Sequence, residues 1–265
     1  MNWLAAKSEV AFAHTLHAEW IKLRSLRSTW YTLAGLFVVG LGITAISMSS
    51  AGTTYETSTP AEQAVWDPTG LSLKSFILAQ LIIGVVGLLI ITSEYATGSI
   101  QSSLAATPRR HRLLAAKAVL ATVIGLVAGQ VLMFVSFFLG QALLAAQDVP
   151  NAALGDPGVF SAVAGGGLYL SAIALLAVGL GVLMRATAGA LATLVGIVFL
   201  VPAIAGLFPA LEGLFAFWPT RGAAAILATV PDPAYPDPWL NLGGMCVGVL
   251  VVVAAGFVVL RRRDV

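Results

Sequence analysis

Charge is what this sequence has least of. Only 10% of its 265 residues are Asp, Glu, Lys or Arg, against about 25% in a soluble globular domain. With 58% hydrophobic residues and a mean hydropathy of +0.93, that deficit excludes an ordinary water-soluble fold and points to a polytopic membrane protein. The single cysteine, Cys246, excludes an internal disulfide framework and a cysteine-built metal cluster. The histidines are His14, His17 and His111. None falls in an apolar run, so neither an HExxH zinc site nor a serine–histidine dyad can be assembled within the bilayer. There is no G-x-x-x-x-G-K-[ST] loop, and Gly165-Gly166-Gly167 has no strand before it to make a phosphate cradle. The expectation is a chain that is not an enzyme, with no catalytic residue, no metal and no cofactor of its own. The first 30 residues carry charges and no unbroken apolar core, which reads as the absence of a cleavable signal peptide.

What is present is hydrophobic length. Six apolar stretches lie near Tyr31–Met48, Phe76–Thr92, Ala118–Leu143, Ala162–Met184, Ala188–Leu207 and Leu240–Leu260, and a bilayer core needs about 20 helical residues each. The second is short, but Leu71 and Leu73 can extend it while Lys74 snorkels. Pro202 and Pro209 predict a kink or a broken end in the fifth. Gly125-x-x-x-Gly129 and Gly244-x-x-x-Gly248 would permit close helix contact. As drawn, no span contains an ionisable residue, which argues against a proton-driven carrier or voltage sensor.

The distribution of positive charge orients the chain. With both termini cytoplasmic, only Lys74 and Arg221 of the fourteen Lys and Arg fall outside, and most of the acids fall outside with them. Residues 1–30 are expected to form a cytoplasmic tail and an interfacial amphipathic helix, and residues 31–265 a six-helix transmembrane domain. In the first part Phe12, Leu16, Trp20, Leu23 and Trp30 recur at helical spacing beside Lys22, Arg24 and Arg27. The outer loop 208–239 is the odd one. Leu211–Phe217 and Gly222–Val230 are too apolar for a solvated loop and too short to span, and they flank Trp218-Pro219-Thr220-Arg221. That pattern predicts two short re-entrant or interfacial helices before the last span.

The stretch that the rest serves is the segment 94–117, EYATGSIQSSLAATPRRHRLLAAK. Glu94 and Tyr95 close the second span. Thr97–Leu104 predicts a short coupling helix with Ile100 and Leu104 on one apolar side and Gln101, Ser102 and Ser103 on the other. Thr107-Pro108 reads as a cap with proline at the first helical position, and Arg109, Arg110, His111 and Arg112 start the next helix. Glu94, at a membrane edge, needs a cationic partner; an Arg or Lys of this segment or of the surface helix would serve, with Arg109 and Arg110 as candidates.

Three places in the chain resemble the permease subunits of bacterial ABC-2 type exporters. They are Ala18-Glu19-Trp20-Ile21-Lys22-Leu23-Arg24-Ser25 before the first span; Glu94-Tyr95-Ala96-Thr97-Gly98-Ser99-Ile100 with Leu104-Ala105-Ala106-Thr107-Pro108-Arg109-Arg110 between the second and third; and Arg261-Arg262-Arg263-Asp264 after the last. Ala96 departs from the pattern, since relatives often carry Arg or Phe there. The resemblance implies an all-α, six-span membrane fold and a role for each stretch. Thr97, Ser99, Ile100, Gln101 and Leu104 would dock on a separate ABC ATP-binding subunit, with Glu94, Arg109 and Arg110 as coupling salt-bridge residues. Leu16, Trp20, Leu23 and Arg24 would belong to the interfacial helix, and Leu211–Val230 would lid the exit path. ATP and Mg would bind the partner ATPase. Two permease copies, identical or not, would form the pathway in a bacterial plasma membrane and export an amphipathic or lipophilic cargo such as a drug, lipid or peptide. The competing reading from a different class is an ion-coupled carrier or channel that works without an ATPase.

Overall fold

The computed structural model describes residues 3–106 and 110–262. The Thr107-Pro108 cap and Arg109 lie outside the described residues, as does the side chain of Leu104. Helix α1 runs Trp3–Ser25 and α2 Arg27–Ser49, separated by one extended residue, Leu26. Two side chains hold the break by capping the last carbonyls of α1: Ser25 Oγ donates to Lys22 O at 2.8 Å and Trp30 Nε1 to Arg24 O at 3.0 Å. The surface helix expected over 8–30 therefore stops at Ser25, and Arg27–Trp30 make the first turn of the first span.

At the far end of α2 the stretch between the first two apolar runs is largely helical, as α3 (Ala51–Thr57), α4 (Pro60–Ala64) and α5 (Pro68–Ser72). Asp67 caps α5 by accepting from Gly70 N at 2.9 Å, and it also accepts from Thr229 N at 2.9 Å and Thr229 Oγ1 at 2.7 Å. One carboxylate thus ties the first far-end loop to the last.

Helix α6 spans Phe76–Thr97 and ends at Gly98, whose φ of +71° lies in the left-handed region that glycine enters without strain. The short helix α7 then covers Ile100–Ala106, so Thr97 closes the second span and is not part of the short helix expected over Thr97–Leu104. α8 is a single helix over Arg110–Ala145, followed by α9 (Val159–Met184). The fifth span is composite: α10 (Thr187–Val195), a π-helical segment (Gly196–Leu200) and α11 (Val201–Ile204). The break expected near Pro202 thus takes the form of a widened turn just before it. The apolar stretch beyond resolves into single turns, α12 (Glu212–Phe215) between 3-10 turns at Pro209–Leu211 and Gly222–Leu227. α13 (Pro238–Arg262) completes the chain. Among the described residues there are six helices long and apolar enough to cross a membrane and no strand.

The core is built around α9. Of its most apolar stretch 78% is buried, against 61% for the second span and only 22%, 17% and 28% for the first, fifth and sixth. The first, fifth and sixth spans are therefore the outward-facing ones. Small residues let α9 be surrounded: a Cβ on Gly87 would sit 2.3 Å from Ala174 O, and one on Gly125 3.1 Å from Ser171 Cα. Gly125 and Gly129 both face α9, and Gly244 faces the Phe217 ring. Those three glycines serve contacts within the chain.

Two spanning helices reach beyond their apolar runs. α6 carries Glu94 and α8 carries Lys117, 4% and 1% exposed. The apolar runs as drawn hold no ionisable residue, but the helices that carry two of them continue past Glu94 and Lys117. A hydropathy run ends at a charge, but a helix continues through it when a partner of opposite sign is at hand.

The glycine contacts set a paired expectation. Gly87→Ala should destabilise the protein by about 1–3 kcal/mol through overpacking against a backbone carbonyl. Gly35→Ala, which meets nothing within 4 Å, should be neutral or stabilising by up to about 1 kcal/mol. Thermal unfolding of the two variants in lipid nanodiscs checks both signs.

Candidate functional site

The inward face of α1 reads Phe12, Leu16, Glu19, Leu23, a helical stripe whose third member is an acid. Leu16 and Leu23 pack into the main core, whereas Trp20 is 40% exposed and Arg24 is exposed. The stripe delivers the Glu19 carboxylate to α8, where Lys117 lies one to two turns inside the helix. Lys117 Nζ sits 2.5 Å from Glu19 Oε2 and 2.7 Å from Glu94 Oε1, and donates to Ile90 O at 3.1 Å. Lys22, one turn beyond Glu19, pairs with Glu94 Oε1 and lies 3.5 Å from Glu19 Oε1. Lys22 Nζ also donates to Ser103 Oγ at 3.1 Å.

Two carboxylates and two ammonium groups thus balance in one buried site. It joins α1, α6 and α8 and, through Ser103, α7. Low local dielectric strengthens these pairs and makes any unpaired member costly. Burial opposes the charge of Lys22, but its hydrogen bond to Glu94 and the charges of Glu19 and Glu94 outweigh it, so its ammonium is held above the ordinary value of 10.5. A raised lysine contributes its stability at every pH below that value and loses it only as pH rises through the raised one.

Beside this cluster, the Arg185 guanidinium lies 5.5 Å from the centroid of the Tyr95 ring, a cation–π contact that ties the end of α9 to the end of α6. Arg110 Nη1 donates to Leu260 O at 3.2 Å, which brings the last turns of α13 to the same end of the bundle.

The expected residues are placed unequally. Glu94 is central, and among the described residues the cations that pair with it are Lys117 and Lys22. Arg110 reaches toward α13, and Arg109 lies outside the described residues. Ile100, expected on the outward face of α7, is 3% exposed and turned into the protein, while Gln101, Ser102 and Thr97 are exposed and Ser99 is half-buried. The sequence points to no role for Glu19, and it offers Lys117 only as one of several cations of the segment 94–117 that could pair with Glu94. The available signal was an acid in an apolar helical stripe and a lysine flanked by Ala116 and Ala118 on the buried face of a long helix.

A family model described as "ABC-2 family transporter protein" matches residues 15–203. The chain belongs to this family. The match takes in Glu19, Lys22, Glu94 and Lys117, so all four members of the charge cluster lie inside the family region of this ABC-2 transporter chain. It ends at residue 203, before the Trp218–Arg221 turn and before α13. Family and spans together make the chain a multi-pass membrane protein and the membrane component of an ABC transporter. A comparison with curated proteins finds no match.

The four charges differ in burial, and so should their variants. Lys117→Met leaves two buried carboxylates facing one half-exposed lysine and should cost about 3–5 kcal/mol. Lys22→Met, at a side chain 40% exposed, should cost no more than about 1 kcal/mol. Denaturant unfolding of the purified variants in mild detergent measures the difference.

Proposed function

We infer that this ABC-2 transporter chain is the permease of an ATP-driven exporter, worked by a separate ATPase that holds ATP and Mg. The observation that carries the reading is the joining of α7 to two spanning helices through Ser103, Lys22, Glu94 and Lys117. A push on α7 would be delivered through buried, charge-assisted bonds into α6 and α8, without first bending a slack loop. The docking edge would be the exposed rim of α7, Gln101 and Ser102 with Thr97, and Ser99 and Leu104 beside it. Ile100 would anchor α7 from within. On this reading α1, α7 and both termini would lie in the cytoplasm of a bacterial cell, and the excess of Lys and Arg on that side supports it.

The lightly buried first and fifth spans suit a second permease copy, with the pathway between the two. An apolar cavity of about 720 Å³ lies between α9, the π segment, the Leu214–Pro219 stretch and α13, lined by Leu176, Ile197, Phe217, Trp218, Trp239 and Val249. Its size is that of a small-molecule site, and its lack of charged walls suits a lipophilic or amphipathic cargo. The turns over 209–227 would lid the exit side.

A photo-crosslinking amino acid at Gln101 tests the arrangement in native membranes. The expected product is an adduct with a polypeptide that is also labelled by an azido-ATP probe, absent when the same group is placed at exposed Thr53. Labelling of position 101 by a membrane-impermeant reagent applied from outside the cell would overturn the orientation. Cargo movement by the chain alone in proteoliposomes, driven by an ion gradient, would replace the exporter with a carrier.

A further inference from the structure

The fifth span is broken at the end of the bundle opposite the charge cluster, and the break is capped. Over Gly196–Leu200 the helix takes the π register, with Val201 donating its N–H to Gly196 O. In that register Ile197 O looks to residue 202 for its donor, and in the α register Val198 O does. Residue 202 is proline, which has no N–H. One ladder donor is thus missing on a spanning helix, for Ile197 O in the one register or Val198 O in the other, and the bilayer offers no water to replace it.

The Trp218–Arg221 turn supplies the replacement. Trp218 Nε1 donates to Ile197 O at 2.7 Å, while Arg221 Nη2 adds a second donor at 2.9 Å to Pro202 O, which also accepts from Ala205 N. Thr220 Oγ1 reaches Val198 O and shares its one proton between that oxygen and Pro219 O at 2.6 Å. Thr220 is held at φ +59°, a costly conformation for a β-branched residue. Gly222 follows because a Cβ there would meet Ala216 O at 2.0 Å.

The strained turn is also tied inward. Thr220 N donates to Tyr169 Oη at 3.2 Å, and Tyr169 Oη donates to Gln80 Oε1 at 2.6 Å. Both side chains are fully buried. Gln80 is anchored by donating to Ile77 O at 3.1 Å. A continuous path of hydrogen bonds therefore runs from the fifth span through the turn and α9 to α6. Gln80 and Glu94 share the unbroken helix α6, fourteen residues and about 21 Å apart at 1.5 Å per residue.

We propose that Trp218, Thr220 and Arg221 are positioning residues of a lock on the fifth span, and that Tyr169 and Gln80 make the lock depend on where α6 stands. A shift of α6 at the charge cluster then loosens or tightens the fifth span at the opposite face of the bundle. Only the consequence for export rests on the function proposed above; the lock stands on its own geometry.

Hydrogen–deuterium exchange of the full chain in lipid nanodiscs tests the lock without reading transport or ATP use. Tyr169→Phe removes one oxygen, and Gln80→Leu touches neither the turn nor the fifth span. Each should speed exchange in segments 196–207 and 218–222 by about fivefold, the weight of one hydrogen bond, and leave segment 51–64 unchanged. Trp218→Phe, which loses the indole donor alone, should do the same for 196–207 and serves if Tyr169→Phe does not fold. If Trp218→Phe speeds exchange but Gln80→Leu, folded with an unaltered unfolding temperature, does not, the turn caps the fifth span without reporting on α6, and the proposal is overturned. Unchanged exchange in all three variants overturns it equally. An ATPase that failed to crosslink at position 101 would leave these outcomes untouched.

Discussion

Everything at the α7 end of this protein depends on a balanced set of buried charges. Glu94 and Lys117 stand on spanning helices where an unpaired ion would be neutralised or expelled. Each has an opposite charge beside it, and α1 brings Glu19 and Lys22 against the pair. α1 is therefore more than a raft at the membrane surface. Its apolar stripe packs on α8, and its acid completes the set. The same lysine that closes the ring holds Ser103, so the short helix α7 inherits the rigidity of the core.

The opposite end obeys a different constraint, the saturation of backbone carbonyls away from water. Pro202 and the π segment create the deficit, and the Trp218–Arg221 turn meets it. Between the two ends α9 is surrounded so closely that a methyl on Gly87 would strike its backbone. Helices packed this way shift as bodies and do not bend gradually, which is how a displacement at one face can be felt at another. The loosely covered first, fifth and sixth spans keep the surfaces that a partner or lipid must meet.

Reading the chain residue by residue worked where the physics is one-dimensional. Six apolar runs mark six spans because hydrophobic length is written along the sequence. Pro202 announces a broken fifth span. It failed where neighbours came from distant positions. Glu94 signalled a need for a cation of the segment 94–117 or of the surface helix, and Lys117 and Lys22 fit that, but proximity in sequence favoured Arg109 and Arg110 over them. Ile100 carries the right chemistry for a docking face, yet a single left-handed residue, Gly98, turns α7 so that this side chain is buried within the chain.

The sequence alone determined that the chain is helical, membrane-spanning and without a phosphate loop, since each of these follows from local composition or a contiguous motif. Tertiary structure alone decided which charges meet, which face of α7 is open, and which side chains cap the carbonyls before Pro202. Those pairs lie between about 20 and 100 positions apart, as Trp218 does from Ile197 and Glu19 from Lys117. Hydrogen bonds and ion pairs act over a few ångströms, so only the packing of the helices could bring such residues within reach.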